Sequence, residues 1–254
     1  MSKPTEFVDL EAARAAKGLR LVVVAGLPSP WSEAAKGIFR TKGIPFVVVR
    51  VGPQDREVRQ WTRSRNAPVA MYDDEPARTG WADILELSER IGGSRSLVPD
   101  GASDRVRMFG LAHEVLGEGG LAWNGRIVTI AEGLATGGVR GFPPFVATYL
   151  ASRYGFVPER VELAKSRAKE ALALLGDQLG AKPYFFGTEL TALDVYSAAT
   201  MNVLEPMPEE QCPMMPPIRH AFESMRGELG EIPRVLLEHR ARMYAEHLEL
   251  PIVT

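Results

Sequence analysis

The hydrophobic pattern divides the chain into a first part with short apolar runs and a second part with long helical periodicity. Residues 19–25 form a largely β-branched apolar run, as in a strand that is buried on both faces of a sheet. Over residues 31–39 the apolar positions recur at helical spacing. The run at 45–51 predicts a second buried strand, and two such strands joined by one helix predict a right-handed βαβ unit.

The next segments predict a short helix, two strands and another helix. A polar, arginine-rich segment at 54–65 predicts the short helix, and we interpret its arginines as a solvent-exposed face. Residues 67–72 predict a strand with a proline near its start, and residues 75–79 are expected to pair back with it as a fourth strand. Residues 81–91 place apolar side chains on one helical face. The first part therefore predicts βαβ followed by ββα.

Helical patterns dominate the second part. Apolar residues keep helical spacing over 161–179, which predicts a core-facing helix. Thr191 and Asp194 have the spacing of a capping box before another apolar helix, although Asp replaces the usual Glu or Gln. Two further helices are predicted at 216–226 and 233–250.

These patterns predict an α/β unit followed by an all-α unit. We predict a leader at 1–18, the α/β unit at 19–91 and an all-helical unit at 104–250. The glycine-rich segment 92–103 between the two units is predicted to be a linker.

Composition narrows the classes of function. The chain has 254 residues, 45% of them apolar and 24% charged, with a formal net charge of −2. This balance gives no reason to expect nucleic acid or an anionic membrane as a partner. The one cysteine, Cys212, cannot form an internal disulfide or a CxxC motif, and we expect it to be inert. The histidines have no metal-ligand spacing, so no metal is expected.

Nothing in the sequence predicts export or membrane insertion. Residues 1–17 alternate charges with short apolar groups, unlike a signal peptide. No apolar run approaches the roughly 20 residues that a spanning helix needs. A cytoplasmic location is therefore expected by default.

The candidate chemistry lies where the first strand meets the first predicted helix. Pro30 stands at the first helical position, which suits proline, and Ser29 precedes it. The start of a helix carries unpaired N–H groups and a partial positive charge, so an anion is favoured there. Ser29 could equally be an ordinary N-cap, and Ser32 an ordinary residue of the first turn.

Three motifs give the chain a resemblance to the glutathione transferase family. Segment 29–32 matches the S-P-x-S version of the thioredoxin-like active turn. Segment 66–69 matches the segment that holds the family's cis-proline, and segment 185–194 matches F-x-G-x-x-x-(S/T)-x-x-D before the family's core helix. The resemblance extends over residues 19 to about 245. It implies a thioredoxin-like N-terminal domain followed by the family's all-helical domain.

The resemblance implies that glutathione binds at the active turn. A free thiol has a pKa of about 8.5, and the thiolate is the nucleophile. A serine hydroxyl at a helix start would favour the thiolate, and Ser29 is our first candidate for this role and Ser32 the second. Pro30 and Trp31 belong to the same candidate site, although Trp31 could instead serve packing.

The other implied glutathione-binding residues follow the short helix. Asn66 and the nearby arginines are expected to meet the glycine carboxylate, and the backbone of Ala67 to pair with the cysteinyl amide beside a cis Pro68. Without the resemblance, Pro68 would be an ordinary trans proline. The family's Glu-Ser pair is missing from segment 79–84, where Asp83 could replace the acid or be an ordinary exposed residue.

The expected function is a glutathione-dependent transferase that conjugates or cleaves an apolar electrophile. The resemblance also implies a homodimer and an apolar substrate pocket in the helical domain. The aromatic residues of segment 120–154 could line that pocket or pack in the core. The alternative is a non-catalytic, thioredoxin-like interaction protein. A third possibility is thiol–disulfide or dehalogenase-type chemistry, of which the disulfide version is disfavoured because the active turn has no cysteine.

Overall fold

The computed structural model describes residues 5–93 and 95–254. The strands are Glu6–Phe7 (β1), Leu19–Val24 (β2), Phe46–Val51 (β3) and Val69–Tyr72 (β4). The helices α1 to α11 are, in chain order, Leu10–Ala15, Pro30–Thr41, Arg56–Thr62, Trp81–Ile91, Ala102–Leu116, Leu121–Ala135, Pro144–Arg153, Val161–Leu179, Ala192–Leu204, Pro216–Glu223 and Arg234–Glu246.

The strands form one mixed sheet in the order β1-β3-β2-β4. Strands β1, β3 and β2 are parallel, and β4 runs antiparallel to β2. The register pairs Leu21 with Val48 across β2 and β3, and Val22 with Val69 across β2 and β4. This α/β unit with its antiparallel edge, followed by helices, confirms the predicted fold class.

Both faces of the sheet are covered, which explains the uninterrupted apolar run in β2. Leu21 and Val23 pack on one face with Phe39 of α2, whereas Val22 packs on the other face with Val58 of α3. Successive side chains of a strand point to opposite faces, so a strand between two helical layers needs apolar residues at every position.

Helix α2 connects the sheet to the helical part of the chain. Ala35 and Phe39 belong to the cluster against the sheet, whereas Ala34 and Ile38 belong to the cluster formed by the later helices. The helix ends at Thr41, and Gly43 follows its C-cap with a φ of +67°, a left-handed conformation that glycine adopts without strain.

Helix α9 lies at the centre of the helical part, and residues 192–203 are all buried. The predicted capping box is present: Asp194 Oδ2 accepts hydrogen bonds from the backbone N–H of Thr191 at 2.8 Å and from its hydroxyl at 2.9 Å. The other oxygen, Oδ1, accepts from Phe185 N at 3.0 Å and lies 2.9 Å from His239 Nε2.

The prediction of a leader at 1–18 is wrong for the described residues 5–18. Residues 1–4 lie outside the described residues. Strand β1 pairs in parallel with β3, Glu6 opposite Val47, and Asp9 caps α1 by accepting from Ala12 N at 2.7 Å. Partners about 40 residues away decide this structure, and a short segment does not encode them by its own periodicity.

The predicted strand at 75–79 is reduced to a single β-bridge between Ala70 and Arg78. Pro76 cannot donate to a ladder, and Glu75 N bonds back to Tyr72 O in a turn. Part of the predicted linker, residue 94, lies outside the described residues. Among the helices of the described chain, none combines the length and apolarity that crossing a bilayer requires.

Candidate functional site

Three segments meet at the edge of the sheet where β2 ends. Helix α2 begins six residues after Val24, the last residue of β2. Strand β4 begins beside the same end of β2, because Val69 pairs antiparallel with Val22. The bridge between Ala70 and Arg78 then returns the chain to this edge, so α4 begins there as well. The topology thus brings together segments 29–32, 66–68 and the start of α4.

Ser29 is the N-cap of α2 and is 4% exposed. Its carbonyl accepts from Glu33 N at 2.8 Å, as expected of an N-cap. Its hydroxyl makes no capping hydrogen bond, and we find no partner for it among the described residues. A hydroxyl at this position can therefore donate to an anion at the start of the helix.

Ser32 has a different environment. It is 1% exposed, and its Oγ accepts from the backbone N–H of Val24 at 3.3 Å. This contact ties the end of β2 to the first turn of α2. The geometry gives Ser32 a structural contact that Ser29 lacks.

Trp31 is directed toward the helical part of the chain. Its Nε1 donates to the carbonyl of Leu116 at 2.8 Å, and its ring lies 6.1 Å from that of Tyr154. Pro30 occupies the first position of α2 and is buried. The side chain of Trp31 thus joins the active turn to α5 and to the residue after α7.

The Ala67–Pro68 peptide bond is cis. The backbone N–H and C=O of Ala67 have no hydrogen-bond partner among the described residues. Asn66 is exposed, and Arg153 of α7 donates to its Oδ1 and, at 2.7 Å, to the carbonyl of Arg65. The segment therefore presents an open backbone edge at Ala67 with an arginine next to it.

The start of α4 departs from the family pattern in the way the sequence indicated. Asp83 is exposed in the first turn, and its Oδ2 would lie 2.9 Å from a Cβ at Gly80, so the carboxylate leans over the start of the helix. The ring of Trp81 packs instead against Phe109 at 6.2 Å and Tyr196 at 5.8 Å.

The aromatic side chains of segment 120–154 lie in different environments. Trp123 packs on Tyr154 with ring centroids 4.6 Å apart. Phe142 is buried in the core against Phe222. Phe145 is 80% exposed and lies outside the core.

Two arginines near the site belong to no motif in the sequence. Arg153 contacts segment 65–66, and the guanidinium carbon of Arg126 lies 6.0 Å from the centre of the Trp31 ring. Both belong to helices whose packing against the active turn depends on tertiary structure. Their only sequence signal is their place in the aromatic segment. No cluster of potential metal ligands occurs within the part of the chain that the structure describes.

No protein-family model matches the chain, and no curated protein matches it in sequence. Many solved structures do match in three dimensions. A glutathione transferase family member from Pseudomonas fluorescens, with two glutathione bound, has a TM-score of 0.59 at 14% identity, over 91% of this chain and 89% of its own. A glutathione S-transferase from Methylobacterium radiotolerans, in complex with glutathione sulfonate, has a TM-score of 0.61 at 15% identity, over 90% and 91%.

The β-etherase LigF from Sphingobium sp. strain SYK-6 has a TM-score of 0.62 at 19% identity, over 90% of this chain and 96% of its own. The chain has the glutathione transferase fold. The likeness spans nearly the whole chain, so the glutathione transferase fold includes both the sheet unit and the helices. At such identities the likeness establishes the fold, and the activity must be argued from the site.

Proposed function

We propose that this chain is a glutathione-dependent transferase whose Ser29 hydroxyl stabilises the glutathione thiolate. The observation that carries the proposal is the buried Ser29 at the start of α2, whose hydroxyl has no capping role. A hydroxyl that donates to sulfur, together with the partial positive charge of the helix start, favours the thiolate over the thiol. The thiolate then attacks an electrophilic carbon, forming a C–S bond while the leaving group departs with its electron pair.

The open edge at Ala67 supports the same proposal. An extended tripeptide can add to an unpaired backbone edge by main-chain hydrogen bonds. We propose that the cysteinyl part of glutathione pairs with the N–H and C=O of Ala67, beside Pro68. The glycine carboxylate would then lie near Asn66 and Arg153, which are already joined by a hydrogen bond.

The γ-glutamyl end is proposed to lie at the start of α4. Its carboxylate would meet the free N–H groups of the first turn. Asp83 leans over the same turn and could pair with the ammonium group. Solved structures with this fold hold glutathione or glutathione sulfonate, which supports glutathione as the ligand.

The test compares Ser29→Ala with Ser32→Ala in the titration of bound glutathione by thiolate absorbance. In the unmodified protein the thiol should titrate at least about one unit below its free value of about 8.5. Ser29→Ala should return the thiol pKa toward the free value and lower kcat/KM roughly tenfold to a hundredfold. Ser32→Ala should leave the thiol pKa nearly unchanged. Equal thiol pKa values in all three proteins would remove Ser29 from the mechanism.

A second candidate function is a non-catalytic interaction protein with the same fold. Trp81 favours it, because the start of α4 has this packed ring where the family has its Glu-Ser pair. Calorimetry with glutathione separates the two functions. The transferase requires saturable binding, whereas the interaction protein should give no binding heat at millimolar glutathione.

We also propose a homodimer in the cytoplasm that acts on an apolar electrophile. The homodimer and the apolar electrophile follow from the resemblance to the glutathione transferase family. Light scattering coupled to size-exclusion chromatography tests this. A mass near 27.9 kDa, that of one chain, would contradict it.

A further inference from the structure

Arg126 of α6 is a buried cation without an anionic partner. It is 7% exposed, and it has no hydrogen bond or ion pair with any described residue. Removing a cation from water is unfavourable unless it is paired. Four other cations with 9% exposure or less satisfy this rule: Arg20, Lys36, Lys42 and Arg240 each donate to at least one acceptor.

Aromatic rings surround the guanidinium of Arg126. Its central carbon lies 5.3 Å from the centre of the Phe142 ring, 5.7 Å from that of Tyr154 and 6.0 Å from that of Trp31. Ring faces attract cations and so compensate part of the lost hydration. They leave the N–H donors without acceptors, because a ring face does not accept as a carboxylate does.

The guanidinium still contacts solvent. Several side-chain nitrogens in the described part of the chain are both unpaired and fully enclosed, but the nitrogens of Arg126 are not among them. The donors of Arg126 are therefore not sealed from solvent. The position is also close to the candidate site, because Trp31 is two residues from Ser29 and contacts both Tyr154 and the guanidinium.

We propose that Arg126 binds the carboxylate of the second substrate, whose apolar or aromatic body packs on Trp31, Trp123 and Tyr154. A guanidinium presents parallel N–H groups that match the two oxygens of a carboxylate. The surrounding rings suit a flat apolar body and exclude water from the ion pair. The chemical class of the second substrate is therefore an apolar electrophile with a carboxylate. The statement that the bound carboxylate belongs to a substrate rests on the proposed function. The anion site itself depends only on Arg126 and its surroundings.

The test uses benzoate and benzamide, which have nearly the same shape and differ in charge. Calorimetry without glutathione should show benzoate binding at least tenfold more tightly than benzamide. Arg126→Gln should remove that difference, and Arg126→Lys should keep part of it as a point charge. Arg107→Gln, at an exposed position on neighbouring α5, is the matched control and should behave like the unmodified protein.

Several outcomes would overturn the proposal. Equal affinities for benzoate and benzamide in the unmodified protein would do so, as would a charge preference that survives in folded Arg126→Gln. If Arg126→Gln weakens glutathione instead of benzoate, the arginine serves the tripeptide and the proposal falls. Should Arg126→Gln fail to fold, Arg126→Lys still decides, because full retention of the benzoate affinity contradicts a bidentate guanidinium site.

The anion site and the proposed function can fail separately. Glutathione binding without benzoate binding removes the Arg126 site and leaves the transferase. Benzoate binding without glutathione binding removes the transferase and leaves an anion site on the glutathione transferase fold.

Discussion

The two serines of the active turn differ in what their hydroxyls contact. Ser32 accepts a hydrogen bond from Val24 N at 3.3 Å, whereas Ser29 makes no capping bond although it is just as well buried. In the S-P-x-S motif both serines have the same hydroxyl group and both lie at the start of the same helix, so the motif does not distinguish them. Only the position of β2 beside α2 separates a structural hydroxyl from one that is available to a ligand.

Ser32→Ala is expected to lower the free energy of unfolding by about 0.5–1.5 kcal/mol, because the partly buried N–H of Val24 loses its acceptor. Ser29→Ala should change it by less than about 0.5 kcal/mol, since the hydroxyl makes no hydrogen bond with the described residues. Urea unfolding followed by circular dichroism measures both. Ser103→Ala, exposed in the first turn of α5, is the control. Equal losses for Ser29→Ala and Ser32→Ala would contradict this assignment.

At the scale of elements, α9 depends on one carboxylate. Asp194 is fully buried, and its two oxygens contact donors from Thr191, Phe185 and His239. The capping box was predictable because Thr191 and Asp194 are neighbours in the sequence. The contact to His239 of α11 was not, since it joins residues 45 positions apart.

Asp194→Asn is expected to lower the free energy of unfolding by about 3–5 kcal/mol. The amide that replaces one oxygen is a donor and would face donors in a buried site. The loss should be visible in the midpoint of urea unfolding. Asp104→Asn, exposed in the first turn of α5, supplies the control and should cost little. A loss below about 1 kcal/mol for Asp194→Asn would show that this carboxylate does not hold α9 in place.

At the scale of the whole molecule, residues 249–254 return to the sheet unit. Glu249 pairs with Arg40 at 2.9 Å, and Lys36 Nζ donates to the carbonyl of Val253 at 2.6 Å. Lys36 also pairs at 2.9 Å with Glu33, and both side chains are almost fully buried. Helix α2, which follows the active turn, is thus held on one side by the last residues of the chain.

Burial raises the pKa of the Glu33 carboxyl above its ordinary value, against the opposing effect of Lys36. A raised folded-state pKa means that the folded protein binds this proton more tightly than the unfolded chain does. The contribution of Glu33 to stability is therefore largest below its ordinary pKa of 4.5 and falls as pH rises toward the folded value.

The stability difference between the unmodified protein and Glu33→Gln should accordingly decrease as pH increases from about 4 upward. Urea unfolding of both proteins across this range measures the difference. Glu57→Gln, at an exposed position in α3, controls for the loss of one carboxylate. A difference that stays constant or grows with pH would contradict the raised pKa.

The sequence by itself determined the features that neighbouring residues encode. Apolar runs marked β2 and β3, helical spacing marked α8 and α9, and residues three apart marked the cap of α9. The cis bond at Ala67–Pro68 and the transferase fold followed from a resemblance carried by short motifs. Local periodicity and capping depend on spacings of two to four residues, so they can be read directly from the chain.

Tertiary structure alone decided the partners of the polar and aromatic side chains. Trp31 bonds to Leu116, 85 positions away, and Arg153 bonds to Asn66, 87 positions away. The strand at Glu6–Phe7 exists because β3 offers an edge, and Arg126 has no ion pair because its described neighbours are aromatic rings and not carboxylates. Such outcomes depend on which helices pack together, and one residue's environment is then set by groups that the sequence places far from it.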